Sequence, residues 1–570
     1  MHRATPSTRG DATLVLAPLT QAPPWSASAP LLLHHQDPEK DGQHIQVEYD
    51  IDISSLALGF IPSPFTAGFT MDSPAARRFS SSAEECVGLL GAHDVAKAHR
   101  YGSVAHAAEL EGLLGAGTVE EVHTTAGKEA RLLAKYSLPL MVTYMLQYSF
   151  SLITLFVVGH IGTDELGAVS LATMTANITG LAVYEGLATS LDTLCAQAYG
   201  SGRKEMVGLH LQRMVLFMLL VTLPIGAIWL SSGWILAALV PEKALAQLAG
   251  RYLSILLAGA PGYAIFEAGK RFTQAQGLFN ASLFVLLIAT PINVLLNYLF
   301  VFVLKWDLEG AALATVLSQN LLPVLLWIYV YFVNPSSLEC WAGFTRDAFR
   351  HWGPMAKLAV PGIIMVETEW LAFDILTFST SYLSTAHLAA QSIVMSLAVA
   401  IYHVPFSVGV AVSTRLGNLI GSGSLSSART ATRTYVLTFL IIGVIDFTFL
   451  TAARNVLPKA FSNDPQVISI VSTVLPLLAV FQFCDSTTAL ANAILRGLGL
   501  QAIGGWANLF VYYVIAVPLA LFLCFKKDLK LVGLWAGCAV GSSCITMLEG
   551  VYMYVYDWKR AVDDARTREE

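Results

Sequence analysis

From Leu132 onward the chain is a succession of apolar blocks, each close to the roughly 20 residues that a helix needs to cross about 30 Å of hydrocarbon, with short polar breaks between them. Twelve can be drawn, over 135–158, 165–190, 207–231, 245–267, 279–304, 309–333, 355–380, 386–412, 431–453, 466–490, 503–525 and 532–556. Backbone donors and acceptors inside lipid have to be satisfied within the segment itself, so blocks of this length are helices. Composition agrees. Of 570 residues 55% are hydrophobic and 13% charged, against about 25% charged in a soluble domain. The expected fold class is an all-α integral membrane protein with twelve transmembrane helices.

Placing the N-terminus in the cytosol puts nineteen Lys and Arg residues of the membrane part on the inner side, among them Arg213, Lys270, Arg271 and Arg496, and eight on the other. Cationic loops favour the cytosolic face, so both termini are expected there. Residues 1–127 lack any lasting apolar period and are expected to be a disordered cytosolic tail, with short amphipathic turns open near 104–116. No charged region followed by an apolar stretch and a cleavage site precedes the first block, so no cleaved secretory signal is expected. The seven cysteines, Cys86, Cys195, Cys340, Cys484, Cys524, Cys538 and Cys544, have no metal-binding spacing and suit small apolar packing.

The membrane part repeats at an offset near 222 residues: Pro139 answers to Pro361, Lys135 to Lys357, the turn GSG at 200–202 to GSG at 421–423, and Gly277 to Gly499. Six blocks are followed by six more. An even number means that both halves enter the membrane alike, which is the parallel repeat of some secondary transporters, with its axis along the membrane normal. The chain therefore divides into a tail 1–127, a six-helix lobe 128–333, a cytosolic connector 334–350, a second six-helix lobe 351–556 and a cytosolic tail 557–570.

The segments FVVGHIGTDELGAVSLATMTANITG, LDTLCAQAYGSGR, KRFTQAQG, ETEWLAFDILT and RGLGLQAIGGWANL follow one another in this order. In sequence and spacing they resemble the multidrug and toxic compound extrusion transporters, in particular the eukaryotic branch with its fungal members. The resemblance covers about 132–556 and implies two six-helix bundles around a central cavity.

Ionised carboxylates cost several kcal/mol in hydrocarbon, so an acid within a span faces a cavity or a partner and marks an ion or substrate path. PGIIMVETEWLAFDILTFS carries three, Glu367, Glu369 and Asp374. On a straight helix Glu367 and Asp374 lie about 20° apart, and Glu369 about 140° from Asp374, so all three cannot point alike. The resemblance implies that Glu369 is the cavity acid of the seventh helix, Asp374 a second acid deeper along it, and Asp485 the acid of the tenth. These three are expected to bind a cation and to couple its movement to protons. Glu367, Glu185, Glu267, Asp446 and Glu549 are expected to have pairing or capping roles. The resemblance implies an Asp in the first helix of bacterial and archaeal relatives, where this chain has Thr154, and an Asn and an Asp four apart in the fifth, where it has Asn293 and Asn297. Coupling is therefore expected in the second lobe.

Gln147, Asn177 and Gln391 are expected on the cavity wall, with Trp370 as an aromatic surface for a cation. A core or lipid-facing place suits Trp370 equally. No phosphate-cradling loop occurs, which argues against ATP-driven transport, and no nucleophile and base or metal-ligand set stands beside the acids, which argues against an enzyme. No cofactor, metal or nucleic acid is expected. The partners expected are a small cationic substrate, the proton and the bilayer, for a monomer in the plasma or vacuolar membrane. A flippase for a lipid-linked substrate, or sodium-coupled antiport, is the alternative; a flippase should show a cationic cavity.

Overall fold

The computed structural model describes residues 122–240 and 242–569, and among them every regular element is a helix. The first six long helices are α1 (Ala126–Val158), α2 (Thr163–Gly200), α3 (Lys204–Leu230), α4 (Lys243–Leu256, continued after a tight turn by Ala260–Ala275), α5 (Asn280–Val303) and α6 (Asp307–Phe332). The second six are α7 (Trp352–Thr380), α8 (Thr385–Gly421), α9 (Leu425–Ala452), α10 (Pro465–Leu498), α11 (Gln501–Lys526) and α12 (Lys530–Val555). A last helix, α13, runs over Trp558–Glu569. Ten of the first twelve are long and apolar enough to cross a membrane. The two that fall short are α4, broken at Leu257–Gly259, and α7, which carries the three acids.

The repeat is written into the backbone. Gly202 and Gly423 both have φ in the left-handed region (84° and 71°), as do Gly277 and Gly499 (80° and 78°). Such values favour glycine, which is why glycine recurs at these helix ends. The turns into α6 and α12 repeat as well: Lys305 and Asp307 have positive φ, and so do Asp528 and Lys530.

Each set of six packs on itself, α8 and α9 against α10 and α10 against α12 in the second lobe, α4 against α2, α3 and α6 in the first. The lobes meet where the second half of α2 lies along α7 and α8, and where α1 lies along α8. A Cβ on Gly186 would stand 2.9 Å from the Ile363 nitrogen, so the backbones touch there only because Gly186 has no side chain. The ends of α2 and α8 cross with the symmetry of the repeat: Gly200 packs on the Asn418 backbone, and Gly421 on that of Gln197. Thr193 Oγ1 donates to the Arg496 carbonyl (2.5 Å), Gln197 Nε2 to the Gly497 carbonyl (3.0 Å), and Gln501 Nε2 to Thr193 Oγ1 (2.6 Å). Glu129, at the start of α1, accepts from Arg415 (2.8 Å) and from the Tyr435 hydroxyl (2.8 Å) of the second lobe. These bonds lie at the end that carries the connector and both described chain ends, called the inner end below.

The connector is docked on the first lobe: its tight turns Pro335–Cys340 and Arg346–Phe349 lie against α3, where Gln212 donates to the Gly343 carbonyl (2.8 Å) and accepts from the Thr345 amide (3.2 Å). Lys204 adds an exposed ion pair to Glu339 (2.7 Å), which holds that carboxyl below its usual range. The chain after residue 557 is a docked helix, with Trp558, Ala561, Val562 and Ala565 buried and Arg568 donating to Gln197 (2.7 Å). Of the basic residues assigned to the inner surface, Arg213, Lys270, Arg271 and Arg496 are buried. Taking them out leaves the excess on that side.

The tail expected over 1–127 lies outside the described residues as far as 121. Val122 is held by Ser424 and Ser427, and α1 begins at Ala126. The six described cysteines are free, and Cys86 lies outside.

Candidate functional site

Beyond Pro361, α7 presents Gly362 and Ile363 to α2, with Gly362 against Thr189 and Gly186. Seven residues is nearly two whole turns, so Glu369 and Trp370 repeat that face about 10 Å further along the helix. Glu369 is half-buried and Trp370 41% exposed. Asp485, on α10, is buried at 3% exposure, and its charge and that of Glu369 act on each other. The Tyr512 hydroxyl of α11 points toward Glu369 without closing a hydrogen bond that satisfies it. Behind these acids Glu549 of α12 is completely buried, and neither of its oxygens has a partner. Phe373 packs with Phe481, Tyr512 and Trp535, fixing this side of α7 in its lobe.

Asp374 does not join this pair. Its charge acts on Glu367, with which it shares a face, and Tyr513 of α11 feels Glu367 as well. Helical geometry alone separates Asp374 from Glu369, and Pro361 lies too far back to reconcile them. Gln391 does not line a cavity: it is 1% exposed, donates to Thr377 Oγ1 (3.2 Å) and accepts from Trp535 Nε1 (2.9 Å), which ties α8 to α7 and α12. Asn177 is half-buried and opens the wide turn Asn177–Leu181 that interrupts α2. Gln147 is half-buried and fully engaged, donating to Glu267 (2.8 Å) and accepting from Lys270 (3.1 Å).

That last contact belongs to a network that sequence reasoning missed. Lys270, completely buried on α4, pairs with Glu267 at 2.8 Å and lies 4.6 Å from the centre of the Tyr144 ring. Arg271 pairs with Asp192 at 3.3 Å, and Asp192 reaches across to Arg496 of the second lobe at 3.6 Å. Two charged pairs in the first lobe are thus linked to the inner contact between the lobes. The pairing role expected for Glu267 is what its neighbours provide. The one available signal was the spacing of Glu267 and Lys270, three apart and so on one helix face. Nothing in the sequence links Asp192 to Arg496. At the first-lobe positions where acids are missing, Thr154 donates to the Phe150 carbonyl (3.0 Å) and Asn297 to the Asn293 carbonyl (3.0 Å). Among the described residues no group of His, Cys, Asp and Glu could hold a metal ion.

Comparison with known proteins agrees with the repeat. The MatE family model matches the chain twice, over residues 139–299 and 361–522. An uncharacterized transporter of Saccharomyces cerevisiae is 42% identical over 450 residues, covering 79% of this chain and 64% of its own length. The chain thus spans somewhat under two thirds of that relative. Multidrug and toxin extrusion protein 2 of Mus musculus is 33% identical over 77% of each chain. Among solved structures, the eukaryotic MATE transporter AtDTX14 superposes with a TM-score of 0.74 at 29% identity, covering 78% of this chain and 99% of its own.

Proposed function

Because the chain belongs to the MatE family of multidrug and toxin extrusion transporters, we propose that it exports organic cations or xenobiotics in exchange for protons by alternating access. What supports this reading is that a half-buried Glu369 on α7 and a buried Asp485 on α10 act on each other electrostatically, with no cationic side chain paired to either among the described residues. A proton and an organic cation compete for such carboxylates, since a neighbouring cation favours the ionised form. Ionised, the pair holds the cation. Protonation from the far side neutralises it, the cation leaves, and deprotonation on the near side restores the site. The excess of carboxylates favours a cation over the phosphate of a lipid-linked substrate.

With both termini in the cytosol, the lobes are closed toward the cytosol and parted toward the outside or the vacuolar lumen. The reading takes the chain as a monomer, with lobes 128–333 and 351–556 as the moving parts. Asp374 is left with a supporting part beside Glu367.

Uptake of radiolabelled tetraethylammonium into proteoliposomes, driven by an imposed pH gradient, tests this. Glu369→Gln and Asp485→Asn are each expected to abolish driven uptake while the protein still inserts, and Glu367→Gln to have a milder effect. Full uphill transport by Glu369→Gln would remove it as the coupling acid. Transport that follows a sodium gradient at fixed pH would leave the residues in place and change the ion.

A further inference from the structure

Glu185 is the one buried-region acid of the first lobe that its neighbours do not neutralise. It is half-buried on α2, one residue before Gly186, whose backbone lies against Ile363 of α7. Among the described residues it has no hydrogen bond and no ion pair, whereas Lys270 is committed to Glu267 and Gln147, and Arg271 to Asp192. Its charge acts on Tyr144 of α1, Tyr263, Lys270 and Arg271 of α4, and Tyr402 of α8. Tyr402 is also influenced by Glu369 and Asp485, so acids of both lobes lie in its neighbourhood.

Two further features point to a ligand. The hydroxyl of Tyr144, a residue 4% exposed, has no hydrogen-bond partner. Buried hydroxyls left unpaired are costly unless something else completes them. Glu185 and Glu369 have no ion-pair partner among the described residues, whereas the neighbouring Lys270 and Arg271 are taken by Glu267 and Asp192, so a cation would supply the partner both acids lack.

We propose that Glu185 is the first lobe's half of the substrate site, and that the chain takes organic dications, one cationic group at Glu185 and the other at Glu369. Gly186 lies against Ile363 and Gly362, Glu185 stands one residue outward of it and Glu369 six residues beyond Ile363, so the two acids stand at levels separated by about 8 Å of helix rise. A dication of similar span fits between them, with Tyr402 alongside. The placement rests on the proposed function for Glu369 but assigns the first lobe a binding role and no coupling role.

The test uses the full chain in proteoliposomes, with hexamethonium as the dication and tetraethylammonium as the monocation. Glu185→Gln is expected to raise KM for hexamethonium about tenfold, the loss of one charge contact worth about 1.4 kcal/mol, and that for tetraethylammonium by less than about twofold. Uptake driven by pH should persist. Glu185→Asp, which keeps the charge, should recover most of the affinity for hexamethonium. In detergent, hexamethonium should raise the melting temperature of the wild type and not that of Glu185→Gln, a readout that does not depend on coupling. An unchanged hexamethonium KM, equal losses for both probes, or no recovery with Asp would overturn the proposal. Failure of proton coupling at Glu369 would instead leave the melting shift intact.

Discussion

At the scale of single residues, burial separates acids that the sequence presents as equals. Glu267 is completely buried beside Lys270, and removing one member of such a pair leaves the other uncompensated. Lys270→Met is therefore expected to cost about 3 kcal/mol or more, read as a lowered melting temperature, and the double variant Glu267→Gln with Lys270→Met to recover most of it. A network without energetic weight would show neither the loss nor the recovery. Gln391 illustrates the opposite case. Its amide looked suited to a cavity, but bonds to Thr377 and Trp535 consume it, and cross-helix bonds of this kind average only about 0.6 kcal/mol in membranes. A polar residue in an apolar helix advertises a partner, and only packing says whether the partner is substrate or protein.

At the scale of elements, the inner contact depends on backbones that cross without side chains between them. Gly421 packs on the Gln197 backbone, its counterpart Gly200 on that of Asn418. Gly421→Val is expected to hold α2 and α8 apart, so that the inner end no longer closes. A cysteine introduced by Thr193→Cys should then react faster with maleimide than in the parent, and transport should fall although the protein reaches the membrane. Equal labelling rates would show that the crossing yields elsewhere. The connector lies on the same surface. Its Lys204–Glu339 pair is exposed and adds little at neutral pH. Because the folded Glu339 carboxyl titrates below its ordinary value, that small contribution is present above the unfolded value and is lost as pH falls through the folded one.

For the whole molecule, the inner end is closed by parts that are far apart in sequence: the start of α1 through Glu129, the connector on α3, and α13 through Arg568. Removing residues 557–570 uncovers the packing beneath Trp558, Ala561, Val562 and Ala565 and frees Gln197 Oε1. The melting temperature is expected to fall by about 1–2 °C, in line with a loss of about 1–2 kcal/mol for a chain of this length, and labelling at Thr193→Cys to rise. A truncated chain with unchanged melting and labelling would make α13 a passenger.

The sequence by itself determined the number of helices, their division into two alike sets and the acids of α7 and α10. Each follows from local constraints: hydrocarbon thickness sets block length, an even count sets the topology of the repeat, and a carboxyl in lipid has to have a purpose. It grouped Asp374 with Glu369 and Asp485, although five residues do not close a whole number of helical turns and so turn Asp374 away from Glu369. The tertiary structure alone decided which charges meet. Asp192 and Arg496 belong to different lobes, Lys270 and Arg271 read as loop residues at the end of an apolar block, and Glu185 and Glu267 carry the same side chain. In a bundle, the environment of a side chain is set by the helices packed against it, and those come from positions that no local pattern can connect.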